Sequence, residues 1–269
     1  MTALVMMAFA ANSVLARLAL RATDIDATTF TAVRIGAGAL VLAIIVLLRR
    51  GTLGGSWASA SALFVYAAAF SFAYLELATG TGALLLFGAV QITMIGVGLA
   101  TGERLNARQL VGMMLALGGL VVLVAPGVEA PPLGAALLMA ASGAAWGVYS
   151  LRGRGAEDPV GASAGNFLRA VPLVLGLAMV VGLRSGLQPH ATGLSYAVFS
   201  GAVTSGLGYV AWYAVLPALR ASSAATVQLS VPVLAALGGV AFVAEPITLR
   251  LALASVATLG GIALVLRAR

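Results

Sequence analysis

The sequence predicts an all-α integral membrane protein: ten transmembrane helices in two inverted five-helix repeats around a central cavity. Three observations predict it. The composition is that of a lipid-soluble chain, the apolar runs recur at membrane-spanning length, and one half of the chain echoes the other at a fixed offset. The 269 residues are 61% hydrophobic and 9% charged, with a mean hydropathy of +1.08. An ordinary soluble domain is about 45–50% apolar and about 25% charged. A water-soluble fold of this length could not hide so much apolar surface, whereas lipid removes the need.

The composition also excludes several chemistries. There is no cysteine, hence no disulfide, thiol nucleophile or thiolate metal site, and the single histidine, His190, argues against a protein-ligated zinc or haem. All 15 basic residues are arginine. Without lysine there is no Walker A phosphate loop and no retinal-type Schiff base. No cofactor and no metal are expected. The net charge of +7 invites a nucleic-acid reading, but the arginines stand in ones and twos between apolar runs. They read as topology signals, so nucleic acid is not an expected partner. The first apolar run begins at Thr2 without a basic leader or small-residue cleavage site, and reads as a span.

A membrane span needs about 20 mainly apolar residues. The first run, 2–20, carries Asn12, Ser13 and, near its far end, Arg17. The second, 28–48, carries Arg34. The third, 57–78, holds Tyr66 and ends near Glu76. The fourth, 80–101, has Gln91 and Thr93, and the fifth, 106–125, is almost purely aliphatic. The sixth, 131–151, sets Ser142, Trp146, Tyr149 and Ser150 three to four apart, hence on one helix face. The seventh, 159–183, contains Asn166, Arg169 and Pro172. The eighth, 191–217, repeats the face pattern with Ser205, Tyr209, Trp212 and Tyr213. The ninth, 220–243, has Gln228, Ser230 and a mid-span Pro232, which removes a backbone hydrogen bond beside Gln228. The tenth, 248–267, is again aliphatic. Runs 1–4 and 6–9 are therefore expected to surround a polar cavity, with 5 and 10 facing lipid.

Loop arginines set the orientation. With the N-terminus cytoplasmic, the inner loops and tail hold nine arginines (49, 50, 104, 108, 152, 154, 220, 267 and 269), against three outside (21, 184 and 250). Both termini are expected inside. The stretch 99–123 aligns with 241–265 at a constant offset of 142, so that Glu103 meets Glu245 and Gly118-Gly119 meets Gly260-Gly261. Five spans per half is an odd number, so the second copy, 128–269, sits upside down relative to the first, 1–127. Inverted repeats are a recurring plan of secondary transporters, with the solute site near mid-membrane.

Charge inside a membrane costs at least about 2.5 kcal/mol on insertion scales. Arg34 and Arg169 could grip a substrate carboxylate, or could be satisfied internally, Arg34 by Glu76 for example. Glu76 is the carboxylate best placed for ion or proton coupling. Arg17 is expected to reach a headgroup by snorkelling. Trp146, Tyr149 and Trp212 could stack on an apolar solute, Asn12, Gln91, Asn166 and Gln228 could bond its polar end, and Tyr209 is a further candidate for substrate binding. Tyr66 and Tyr213 read instead as members of the interfacial aromatic belt.

The segment 209–269, with Trp212-Tyr213-Ala214, the small residues 221–225, Gln228, Pro232, Glu245 and Gly260-Gly261, resembles the second repeat of the drug/metabolite transporter superfamily, EamA type. The first repeat matches through Tyr74, Gly80 to Leu84, Glu103 and Gly118-Gly119, but has Val90 where the offset places the counterpart of Pro232. Within the superfamily the chain most resembles the YddG-like exporters of aromatic amino acids. The resemblance implies a secondary carrier of the bacterial inner membrane, with a cavity between helices 1–4 and 6–9 and alternating access. Its expected partners are a small organic solute and membrane lipid, and it is expected to act as a monomer. Glu103 and Glu245 are then helix-capping or gate-stabilising residues. Export of other metabolites or drugs is the alternative substrate reading. A lipid-modifying membrane enzyme is a further one, disfavoured because the acidic residues are dispersed.

Overall fold

A computed structural model describes residues 1–102, 106–127, 129–154, 156–215 and 227–267. Glu103, Arg104, Arg220, the 221–225 run and Arg269 lie outside the described residues. Regular structure among the described residues is helical throughout. In chain order the helices are α1 Thr2–Ala22, α2 Ala27–Leu48, α3 Trp57–Ala73, α4 Thr79–Ala100, α5 Ala107–Val124, α6 Leu133–Gly153, α7 Pro159–Ser185, α8 Ala191–Val215, α9 Ser230–Val243 and α10 Leu249–Arg267. Among the described residues, eight of these are long and apolar enough to cross a membrane. The other two, α3 and α9, are shorter and apolar.

Short polar side chains start the helices where the sequence breaks. The Asp26 carboxylate accepts from Thr28 N and Thr29 N, Ser56 Oγ accepts from Ser59 N, and Asn106 with Gln109 forms a capping box. Asp158 caps α7, with Pro159 in its first turn. Helix α3 stops at Ala73 and does not run on to residue 78. The carbonyls of Tyr74 and Leu75 are taken by the Arg17 guanidinium, at 2.9 and 3.1 Å, which satisfies groups that a continuing helix would have used. Glu76 therefore lies in the α3–α4 turn, exposed.

Within α8, residues Ser200–Leu207 form a π-helix. The run is SGAVTSGL, and its small side chains let α2 come close; Gly201 lies directly on the backbone of Arg34. No periodicity in the sequence announces this widened stretch, a rare feature that is frequent at functional sites.

Long apolar side chains point outward. Leu183, Leu48 and Val256 are 83%, 80% and 74% exposed, whereas Asn12, Arg17, Arg34 and Gln91 are buried. An exterior this apolar around a partly polar interior fits a lipid surround. Inside, α1 packs on α8 and α9, α2 on α7 and α8, α3 on α6 and α7, and α4 on α6 and α9. Helices α5 and α10 pack chiefly on each other. Their seam is glycine-built: Gly112 rests on Gly261 and Gly119 on Ala254 and Thr258, while Thr258 Oγ1 donates to Ala116 O at 3.4 Å. Most of their remaining surface, including Val111, Met114, Val121, Leu253 and Val256, faces outward.

Candidate functional site

At mid-bundle, α1, α3, α4, α6 and α8 enclose a small cavity lined by Phe9, Asn12, Ser13, Tyr66, Phe70, Leu86, Phe87, Trp146 and Tyr209. The wall is mainly aromatic. Trp146 is its hub, with ring centroids 4.8 Å from Tyr66, 5.3 Å from Tyr209 and 5.3 Å from Tyr149, the last nearly parallel. Phe9 meets Tyr209 and Trp212 edge-on at 6.2 and 6.0 Å. The free space is about 20 Å³. That admits a water molecule, so an organic solute enters only if the walls part.

One side of the cavity is polar. Asn12 Oδ1 accepts from Ser200 Oγ at 2.8 Å and from Thr204 Oγ1, both in the π-helical stretch. Beside it lies the Arg34 guanidinium, 2% exposed. Nη2 donates to Tyr66 Oη at 2.9 Å, Nε donates to Ser205 Oγ at 3.4 Å, and Cζ stands 4.7 Å from the Phe70 ring centre. Its Nη1 has no hydrogen-bond partner among the described residues.

Two separate networks bridge the ends of the bundle. At the end carrying the α1–α2, α3–α4 and α9–α10 turns, Arg17 Nε donates to Glu245 Oε1 at 2.8 Å, and Glu245 Oε2 accepts from Thr79 N at 2.7 Å. Ala244, left-handed at φ 56°, turns the chain so that Glu245 reaches the first turn of α4. At the same end Asp26 Oδ2 accepts from Gln188 N at 2.8 Å. At the other end the 51–56 loop is clamped onto α6 and α7. Arg169 Nη1 donates to Gly54 O at 2.6 Å, Ser56 N donates to Asn166 Oδ1 at 2.9 Å, and Arg152 Nε donates to Ser59 Oγ at 3.1 Å.

Asp26 carries a pH prediction. Burial pushes its carboxyl up, but hydrogen bonds from Thr29, Gln188 and Thr28 outweigh that and hold it below its ordinary 3.8. A carboxyl lowered by folding stabilises the fold above its unfolded-state pKa, and the contribution disappears as pH falls through the folded value. Between about pH 5 and about pH 3 the thermal midpoint of the wild type should therefore fall further than that of Asp26→Asn. Parallel melting curves for the two proteins would show the contribution to be absent.

Of the residues expected at the site, Asn12, Trp146 and Tyr209 line the cavity, and Tyr149 and Trp212 stand behind its rings. Gln91 and Asn166 are buried elsewhere in the bundle and Gln228 is half-buried; none of the three lines the cavity. Arg34 stands behind the cavity wall against Tyr66 and Phe70, Arg169 holds the 51–56 loop, and Glu76 forms no ion pair among the described residues. Two expectations are corrected. Arg17 does not snorkel: at 3% exposure it is ion-paired to Glu245. Tyr66 does not belong to an interfacial belt: it is buried and bonded to Arg34. Phe9, Phe70, Leu86 and Phe87 also line the cavity, although they are ordinary apolar core residues by type. The i, i+4 spacing of Tyr66 and Phe70 is a signal that could have found that face.

Residues 133–267 match the EamA-like transporter family. Along its whole length the chain is 55% identical, over 272 aligned residues, to an uncharacterized protein of Pseudomonas aeruginosa, 94% of which is covered. It is 29% identical over 171 residues to an uncharacterized transporter of Archaeoglobus fulgidus, a match covering 62% of this chain and 60% of that one. A crystal structure 22% identical in sequence covers 97% of both chains with a TM-score of 0.68, a likeness of fold.

Proposed function

The chain belongs to the EamA-like transporter family of the drug/metabolite transporter superfamily, and from that premise we propose that it exports small organic solutes, foremost amino acids with aromatic or other apolar side chains. The observation that carries the reading is the aromatic cavity with an amide in its wall and a guanidinium behind Tyr66, lying between two independent end networks. A space closed at both ends, with a different fastening at each, suits alternating access, in which one fastening opens while the other holds. The dispersed acidic residues favour a carrier over an enzyme.

The architecture we propose is ten spans in two inverted repeats, 1–127 and 128–269, with both termini on the cytoplasmic face of the bacterial inner membrane. Helix pairing supports it. Exchanging α1–α5 with α6–α10 turns the α1–α9 contact into α6–α4, α1–α8 into α6–α3 and α2–α8 into α7–α3, and leaves α2–α7 and α5–α10 unchanged. At the α5–α10 seam Thr258 faces Ala116, which is 142 residues away. Gly261 and Ala254 there are the offset counterparts of Gly119 and Gly112. The nine-to-three arginine count supports the orientation.

Purified protein in liposomes, loaded with a panel of labelled amino acids with and without a pH gradient, tests the function. Flux of an aromatic or aliphatic amino acid above empty liposomes is expected. Trp146→Ala should lower it roughly tenfold, the upper range for losing one aromatic contact, without loss of insertion. Unchanged flux in that variant would remove the cavity from the transport path.

A further inference from the structure

We propose that Arg34 is an anion-binding group of the carrier and that the solutes it selects are organic carboxylates bearing an aromatic or apolar body, whether or not they also carry an amine. This rests on the carrier reading and names the substrate class at the same cavity. The guanidinium is buried among apolar rings, and no carboxylate among the described residues is paired with it. The two ion pairs among those residues are Arg17–Glu245 and Arg49–Asp158. Its neighbours are a phenol, a hydroxyl and the faces of Tyr66 and Phe70. They satisfy two of its nitrogens and neutralise none of its charge, and Nη1 has no partner among the described residues.

A buried cation with a free donor and no counter-charge is a poor structural element, because its desolvation is not offset. It is a good receptor for an arriving anion, and a guanidinium fork fits a carboxylate. The two rings that hold it, Tyr66 and Phe70, are themselves cavity wall. A carboxylate reaching Arg34 therefore leaves its apolar body against Trp146, Tyr209 and Phe9. No anionic side chain among the described residues lines the cavity, so a solute's ammonium group would meet ring faces and the Asn12 amide there but no counter-charge.

The test uses full-length protein in nanodiscs and in liposomes with three probes: L-phenylalanine, 3-phenylpropionate, which lacks the amine, and phenethylamine, which lacks the carboxylate. Binding and flux are expected for the first two and not for phenethylamine. Arg34→Gln should weaken both carboxylates by about tenfold or more, as removal of a charged hydrogen-bond partner does. Arg34→Lys, which keeps the charge and loses the fork, should retain the preference for carboxylates at lower affinity. The wild-type comparison needs no variant to fold. Equal handling of phenethylamine and 3-phenylpropionate, or full carboxylate binding in a folded Arg34→Gln, would overturn the assignment and leave the carrier reading standing. Absence of flux for all three probes and for the amino-acid panel would overturn both.

Discussion

Replacing Arg17 with methionine destabilises the protein by about 3–5 kcal/mol, the range for removing one partner of a buried ion pair. Arg17 and Glu245 side chains are 4% and 12% exposed, and the pair ties α1 to the α9–α10 turn across 228 residues of sequence. The loss has two further parts. The Tyr74 and Leu75 carbonyls at the end of α3 forfeit their donor, and the Glu245 carboxylate is left with Thr79 N alone. Glu245→Gln should cost a similar amount, because it strands the guanidinium. The double variant Arg17→Met/Glu245→Met should recover much of the loss, since neither charge then remains unpaired. Thermal unfolding in detergent, followed by tryptophan fluorescence, measures all three. A double variant as unstable as the sum of the singles would mean that the two side chains are not energetically coupled.

The second large effect concerns one methyl group. Gly201→Ala is expected to cost about 1–3 kcal/mol or more by overpacking. The added carbon would run into the main chain of Arg34, with the carbonyl carbon and Cα each 2.9 Å away. Main chain cannot rotate aside as a side-chain end can, so α2 and α8 would have to separate. Gly36→Ala on the same helix α2 is the control, for no atom of the described residues lies within 4 Å of the added carbon. That change should be neutral or stabilising by about 0.5–1 kcal/mol through helix propensity. Equal melting temperatures for the two variants would show that α2 and α8 are not in backbone contact there.

Much of this protein could be read from its residues because lipid imposes a simple grammar. Each backbone polar group must be bonded within its own helix, so apolar runs of fixed length mark the helices directly. The helix ends were legible where Asp26, Ser56 and Asn106 precede them. The end of α3 was not, because Arg17, far away in sequence, takes the carbonyls that stop it. The cavity was half legible. Asn12, Trp146 and Tyr209 announce themselves as polar or aromatic groups on helix faces, but a tyrosine such as Tyr66 has the same chemistry at a lipid interface as in a cavity wall. Only its partner Arg34, from another helix, distinguishes the two. Asn166 and Gln228 carry the chemistry of binding residues but no mark of depth or direction. The widening of α8 at Ser200–Leu207 depends on what packs against it and has no periodicity of its own.

That wide stretch has a mechanical consequence. A helical turn holding one residue too many can pass along its helix like a ruck through a carpet, and each one-residue step turns the residue it passes by about 100° and shifts it by about 1.5 Å. Residues 208–215 lie beyond the wide stretch and carry Tyr209 and Trp212, so its passage over the next two residues would swing the Tyr209 ring and over the next five the Trp212 ring, with the rest of α8 in place. The hydroxyls of Ser200 and Thr204, which donate to Asn12, are the catch that fixes where the ruck now rests.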